Sequence, residues 1–156
     1  MLKILNIDKL PDEFVDDPEF ESEMKTVYLG TAAGSEKIYV NIDYVKPGAK
    51  SVKYHSHSRQ EEFFLILKGS GILRMKGEEV FVKRGDFVAK PAGLDVAHQF
   101  TNNGSEILQI LDCGTNERDE TITYPDDEVI LLKKQGLIFR IPDALKDWSS
   151  DPNKKD

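Results

Sequence analysis

The chain has 156 residues, 39% apolar and 31% charged, enough for one ordinary core and too apolar for a disordered segment. Its 28 acidic and 21 basic residues leave a net charge of −7, which argues against a nucleic-acid binder, and it contains no apolar run long enough for a membrane-spanning helix. The N-terminus lacks a charged-then-apolar leader, and the single cysteine, Cys113, excludes an internal disulfide, so a cytoplasmic location is expected.

Residues 1–23 are acidic and poorly patterned, with two prolines, and read as an N-terminal arm or loop rather than a helix. From Met24 to Gly114 the texture is β-type. Short runs such as "MKTVYLG", "KIYVNIDYV", "SVKYHSH", "EEFFLILK", "GILRMK", "EEVFVK", "DFVAK", "VAHQFT" and "EILQILD" alternate with turn formers such as "KGSG", "KGE", "KRGD" and "PAG". Strands at this spacing, with no long helical pattern between them, predict an all-β antiparallel sandwich or barrel. Asn103-Gly104 reads as a two-residue hairpin signal. The run Phe63–Leu67 does not alternate, which predicts a strand covered on both faces, the outer one by the arm, the C-terminal residues or another subunit. Residues 115–156 read as an extension packed on the barrel. It has strand candidates at Val129–Leu132 and Leu137–Ile141, one helical turn after Pro142, and a frayed polar end.

The three histidines of the chain hold the chemistry. On a strand, residues two apart face the same way at about 6.6 Å between Cα atoms, so His55 and His57 form a two-point clamp for one ion. His98, the third, opens another strand after Pro91-Ala-Gly93. Of the adjacent Glu61 and Glu62, alternation allows only one to face inward with the histidines. Cys113 reads as a small buried hydrophobe. Arg59, Arg74 and Gln109 are candidates for the barrel mouth, and Tyr39, Tyr44 and Phe100 for the walls of a pocket. Asn103-Gly104-Ser105 matches a glycosylation acceptor that has no meaning in a cytoplasmic protein.

Two spaced motifs carry a resemblance. The first runs Gly48, six residues, His55-Ser-His57, four residues, Glu62, six residues, Gly69. The second runs Gly85, five residues, Pro91-Ala-Gly93, four residues, His98, three residues, Asn102. Together they resemble the paired motifs of the cupin superfamily, with one extra residue after Gly48 and two between Gly93 and His98. The resemblance implies a double-stranded β-helix, or jelly-roll barrel, over residues 24–114, flanked by the arm (1–23) and the extension (115–156). It also implies His55, His57, Glu62 and His98 as ligands of one divalent transition metal, with Glu62 rather than Glu61 selected by the spacing to Gly69. Three imidazoles and a carboxylate suit manganese, iron, nickel or zinc.

The function implied is metal-dependent chemistry on a small organic molecule, of the dioxygenase, decarboxylase or sugar isomerase type, with no catalytic residue assignable beyond the ligands. The competing class is a non-catalytic sensor whose metal holds an anionic ligand. A homodimer is expected, with a small-molecule partner and neither nucleic acid nor membrane.

Overall fold

A computed structural model describes residues 4–11 and 13–154. Residues 1–3 and 12 of the expected arm, and 155–156 of the expected frayed end, lie outside the described residues. The strands are β1 (Val15–Asp17), β2 (Ser22–Tyr28), β3 (Ile38–Val45), β4 (Ser56–His57), β5 (Glu62–Lys68), β6 (Ser70–Met75), β7 (Glu78–Lys83), β8 (Phe87–Lys90), β9 (His98–Thr101), β10 (Leu108–Thr115), β11 (Thr121–Tyr124), β12 (Val129–Leu132) and β13 (Leu137–Arg140). One short helix, α1 (Leu29–Ala33), and three 3₁₀ turns complete the described secondary structure.

The fold is all-β, an antiparallel jelly-roll barrel. A six-stranded sheet runs β1-β2-β3-β10-β5-β8, a three-stranded sheet runs β7-β6-β9, and β13-β12-β11-β4 form a third set. The six-stranded sheet packs on β7-β6-β9 through Val45, Phe64, Ile66, Leu73, Val82, Phe100, Leu108 and Ile110. The β6–β7 hairpin turns on Lys76-Gly77, both at positive φ (53° and 79°), the pairing a tight primed turn needs.

Four local expectations are corrected. Val15–Asp17 of the arm is a strand, antiparallel to β2. "SVKYHSH" forms a ladder only at Ser56–His57, because the chain from Gly48 to His55 follows β9 by scattered bonds, such as Gly48 N–H to the Asn102 carbonyl and Ser51 N–H to the Phe100 carbonyl. Asn103-Gly104 does not close a hairpin. β9 pairs with β6 while β10 pairs with β3 and β5, and the buried Asn102 amide fixes the wider loop by donating to the Val45 and Glu106 carbonyls. Finally, β5 alternates after all: Glu62, Phe64 and Ile66 are buried, while Phe63 stays 38% exposed. Its outer face is therefore only partly covered within the single chain.

In the extension, β12 and β13 match the expected strands, a 3₁₀ turn spans Ile141–Asp143, and β11 is an addition that pairs with β4. Cys113 is on the outer side of β10 and half-buried rather than buried. Burial still raises its thiol pKa, so it is no thiolate nucleophile. Among the described residues no helix is long and apolar enough to cross a membrane.

Candidate metal centre

Strand pairing brings the separated polar residues to one end of the barrel. His55 and His98 form an antiparallel bridge, each N–H donating to the other's carbonyl, and their rings lie 4.8 Å apart. His57 closes β4, and its ring lies 4.9 Å from that of His55. Ser56, between them, points the other way and donates to the Leu94 carbonyl. Glu62 opens β5 opposite Gly114, where an added Cβ would meet the Glu61 carbonyl oxygen at 2.2 Å, so a glycine is required there to seat the strand. Glu61 is exposed and Glu62 is 4% exposed, as alternation demands. The one register shift between β5 and β10 lies by Gln109 and Ile110, away from the two glutamates.

His55, Glu62 and His98 offer ligand atoms all within 4.8 Å of one another. His57 falls outside that trio, yet its Nε2 is 3.1 Å from His55 Nε2 and 3.7 Å from Glu62 Oε1. Both Nδ1 atoms of the His-x-His pair are engaged elsewhere, His55 with the Lys53 carbonyl at 2.7 Å and His57 with Glu120 Oε1 at 3.1 Å. Nδ1–H donation to those acceptors leaves both Nε2 atoms as facing lone pairs, an arrangement that a cation stabilises. Glu62 Oε2 and His98 Nδ1 are buried without a hydrogen-bond partner. The residues therefore fit a divalent ion by chemistry and by unsatisfied donor atoms.

Burial lowers the pKa of all three histidines, that of His55 to about 4 and that of His98 well below the ordinary value, so the imidazoles are neutral at pH 7. Burial alone would raise Glu62, but His98, His57 and Lys90 together hold it down to about 2, so it is a carboxylate.

The sequence pattern did not reveal several neighbours. Lys90, fully buried at the end of β8, has Nζ 2.7 Å from Glu62 Oε2, close as an ion pair but without hydrogen-bond angles. Its position in the apolar run "DFVAK" is the signal that could have marked it. Gln60 and Tyr39 also donate to Glu62 Oε1, at 3.2 and 2.9 Å. Glu120, from the extension, holds His57, the Gln60 N–H and Lys133. A cavity of about 340 Å³ opens beside the cluster, lined by all four candidate ligands, by Tyr39, Asp43 and Asp112, and by Lys133.

Tyr39 and Phe100 are pocket walls as expected, whereas Tyr44 is not among the lining residues. Arg74 is on the surface, paired with Asp126 and stacked over Tyr54, Arg59 is exposed, and Gln109 lines a separate surface hollow. A larger apolar hollow of about 580 Å³ lies around Phe81 and Phe87, and no histidine lines it.

The cupin domain model matches residues 42–114, the stretch that carries all four candidate ligands. Residues 42–114 match as a cupin domain, and the fold of the chain is that of the cupin superfamily. An uncharacterized protein of Methanocaldococcus jannaschii is 35% identical over 69 residues, 44% of this chain, and the match spans only 53% of that relative's length. Two crystal structures match nearly end to end. A candidate sugar phosphate isomerase from Acidithiobacillus ferrooxidans is 25% identical with a TM-score of 0.82, covering 94% of this chain and 97% of that one. A sugar phosphate isomerase of the cupin superfamily from Silicibacter pomeroyi is 27% identical with a TM-score of 0.77, covering 93% and 97%. A predicted oxalate decarboxylase from Thermotoga maritima, 21% identical with a TM-score of 0.64 over 74% of this chain and 100% of that one, shares the fold.

Proposed function

We propose that this cupin is a metal-dependent isomerase of small phosphorylated sugars, with His55, His57, Glu62 and His98 as the ligands of one manganese, iron, nickel or zinc ion. The observation that carries the reading is the shared cavity. Neutral imidazoles and a carboxylate with unsatisfied donor atoms face the same 340 Å³ space as two further carboxyl groups, Asp43 and Asp112. Aldose–ketose isomerisation needs that combination, since protons must leave and return at two adjacent carbons and their oxygens. The two full-length structural relatives named as sugar phosphate isomerases support the substrate class.

A divalent ion held by the four ligands would supply Lewis-acid polarisation of the sugar's carbonyl and neighbouring hydroxyl oxygens. The chain's own residues do the rest. Lys133, on the cavity wall and partnered by Glu120 at 2.7 Å, offers a cation to the phosphate. Glu120 holds the His57 ring in the tautomer that directs Nε2 inward. Phe64, its ring tilted against that of His98 with centroids 4.8 Å apart, and Phe100 form the dry floor.

The test is elemental analysis of the purified chain, followed by incubation of the loaded protein with hexose and pentose phosphates in deuterated water. Deuterium entering the sugar carbon next to the carbonyl, with aldose and ketose interconverting, is the expected result. Stoichiometric binding of a sugar phosphate or small acid without exchange would replace this reading by the non-catalytic binding module. Oxygen consumption or carbon dioxide release from an organic acid would replace it by a dioxygenase or decarboxylase. A homodimer is part of the proposal, supported by the partly covered outer face with Phe63 and Phe87 stacked on it. A monomer by sedimentation at micromolar concentration would refute that part.

A further inference from the structure

Tyr39 presents a problem in counting hydrogens. Its hydroxyl lies 2.9 Å from Glu62 Oε1 and 2.7 Å from Asp112 Oδ1. A phenol has one hydrogen to donate, so two ionised carboxylates cannot both be its partners. Glu62 is the one that must accept, because its Oε1 already takes the Gln60 amide N–H and its Oε2 faces the Lys90 ammonium. The 2.7 Å contact then requires a hydrogen on Asp112, donated to the Tyr39 oxygen. A second carboxyl, Asp43, sits on β3 opposite Ile110, diagonal to Asp112 on the same inward face, and accepts from the Thr26 hydroxyl at 2.6 Å. Both carboxyls line the cavity.

We propose that Asp112 is the pocket's general acid, keeping its proton through the Tyr39 hydroxyl, and that Asp43 is its general base. This rests on the isomerase reading of the same cavity. The groups facing Asp112 are Asp43 and Tyr39 from β3, Glu62 from β5 and Lys90 from β8. Burial first, and then the Asp43 charge, push Asp112 up to about 8, while burial brings Asp43 to about 6. The two therefore differ in protonation at neutral pH, the separation an acid–base pair needs.

In the forward step the Asp43 carboxylate takes the proton from C2 and the C–H electron pair becomes the C1=C2 bond. The C1 carbonyl oxygen takes the Asp112 proton, giving an enediol. In the second step the Asp112 carboxylate recovers a proton from the C2 hydroxyl, the C2 carbonyl forms, and C1 takes the proton from Asp43. Both groups end as they began.

Two measurements decide it. The infrared carbonyl band of a protonated carboxyl, read on metal-free protein at pH 7, should be present in the wild type and lost in Asp112→Asn. In Tyr39→Phe the band should remain but shift, because the acceptor is gone. A spectrum unchanged in Asp112→Asn would overturn the assignment. In the loaded enzyme, Asp43→Asn should lower deuterium exchange at C2 by about 100-fold or more at unchanged metal content per subunit. Exchange within about threefold of wild type would remove Asp43 as the base and leave the isomerase reading intact. A wild type that exchanges no sugar phosphate would sink that reading and both catalytic roles, while the infrared band would still report where the proton resides.

Discussion

Four strands of the barrel each change character within two residues. β5 passes from Glu62 to Phe64 and Ile66, β9 from His98 to Phe100, β10 from Asp112 to Ile110 and Leu108, and β3 from Asn41 and Asp43 to Val45. All of these side chains face the interior. One end of the same barrel is thus a dry core, and the other a polar chamber in which Lys90, Glu62 and His98 are almost wholly buried. Alternation decides which side chains enter the barrel. Depth along its axis decides whether burial is offset by apolar packing or by charge pairing. Mutation should separate the two ends, since stability depends on both and ion binding on the polar one alone.

The largest expected effect is at the polar end. Glu62→Gln removes the carboxylate 2.7 Å from the buried Lys90 and should cost about 3–5 kcal/mol by denaturant unfolding, together with the bound metal. Adding Lys90→Met should restore most of the stability and none of the metal. If the double variant binds the ion normally, Glu62 is no ligand.

At the apolar end, Leu108→Ala should cost about 2–5 kcal/mol while metal content per subunit stays at the wild-type level, since Leu108 is fully buried in the core and lines no part of the cavity. Metal loss there would break the division between the ends.

The pH dependence of stability is a third probe. Asp112 is held near 8 in the fold against an ordinary 3.8, so the folded chain keeps a proton that the unfolded chain releases. Its stabilising contribution is complete below about pH 4 and is lost as the pH rises through 8. Between those limits wild type should lose stability relative to Asp112→Asn at up to about 1.4 kcal/mol per pH unit in the metal-free protein. Parallel curves for the two would contradict a protonated Asp112.

Glu120→Gln should weaken metal affinity about 10–100-fold, because it loosens the His57 ring from outside the coordination shell. Unchanged affinity in a competition titration would deny the extension a part in the site. The smallest effect belongs to Glu61→Gln, exposed on the other face of the chain, which should shift stability by no more than about 0.5 kcal/mol and leave the ion in place. That variant, prepared beside Glu62→Gln, is the control for strand register.

The histidine positions and most of the strands were legible in the sequence because they depend on local period and spacing, whereas alternation left Glu61 and Glu62 open and only the motif resemblance chose Glu62. A period of two is intrinsic to an extended backbone, so "HSH" puts both imidazoles on one face and "EEFF" puts its two glutamates on opposite faces. Lys90, Glu120, Asp43 and the Asp112–Tyr39 contact were not legible. Each is an ordinary charged or phenolic residue until a partner 17 or more positions away is folded against it, as Tyr39 and Asp112 are across 73 residues. The missed loop at Asn103-Gly104 has the same origin. The buried Asn102 amide with its two carbonyl acceptors outweighs the dipeptide's turn preference. The sequence by itself determined an all-β chain with a three-histidine, one-carboxylate cluster. Only the tertiary structure decided which carboxyls share a proton, which cation balances Glu62 and how much space stands before the cluster, because burial and electrostatic pairing arise between strands and not along them.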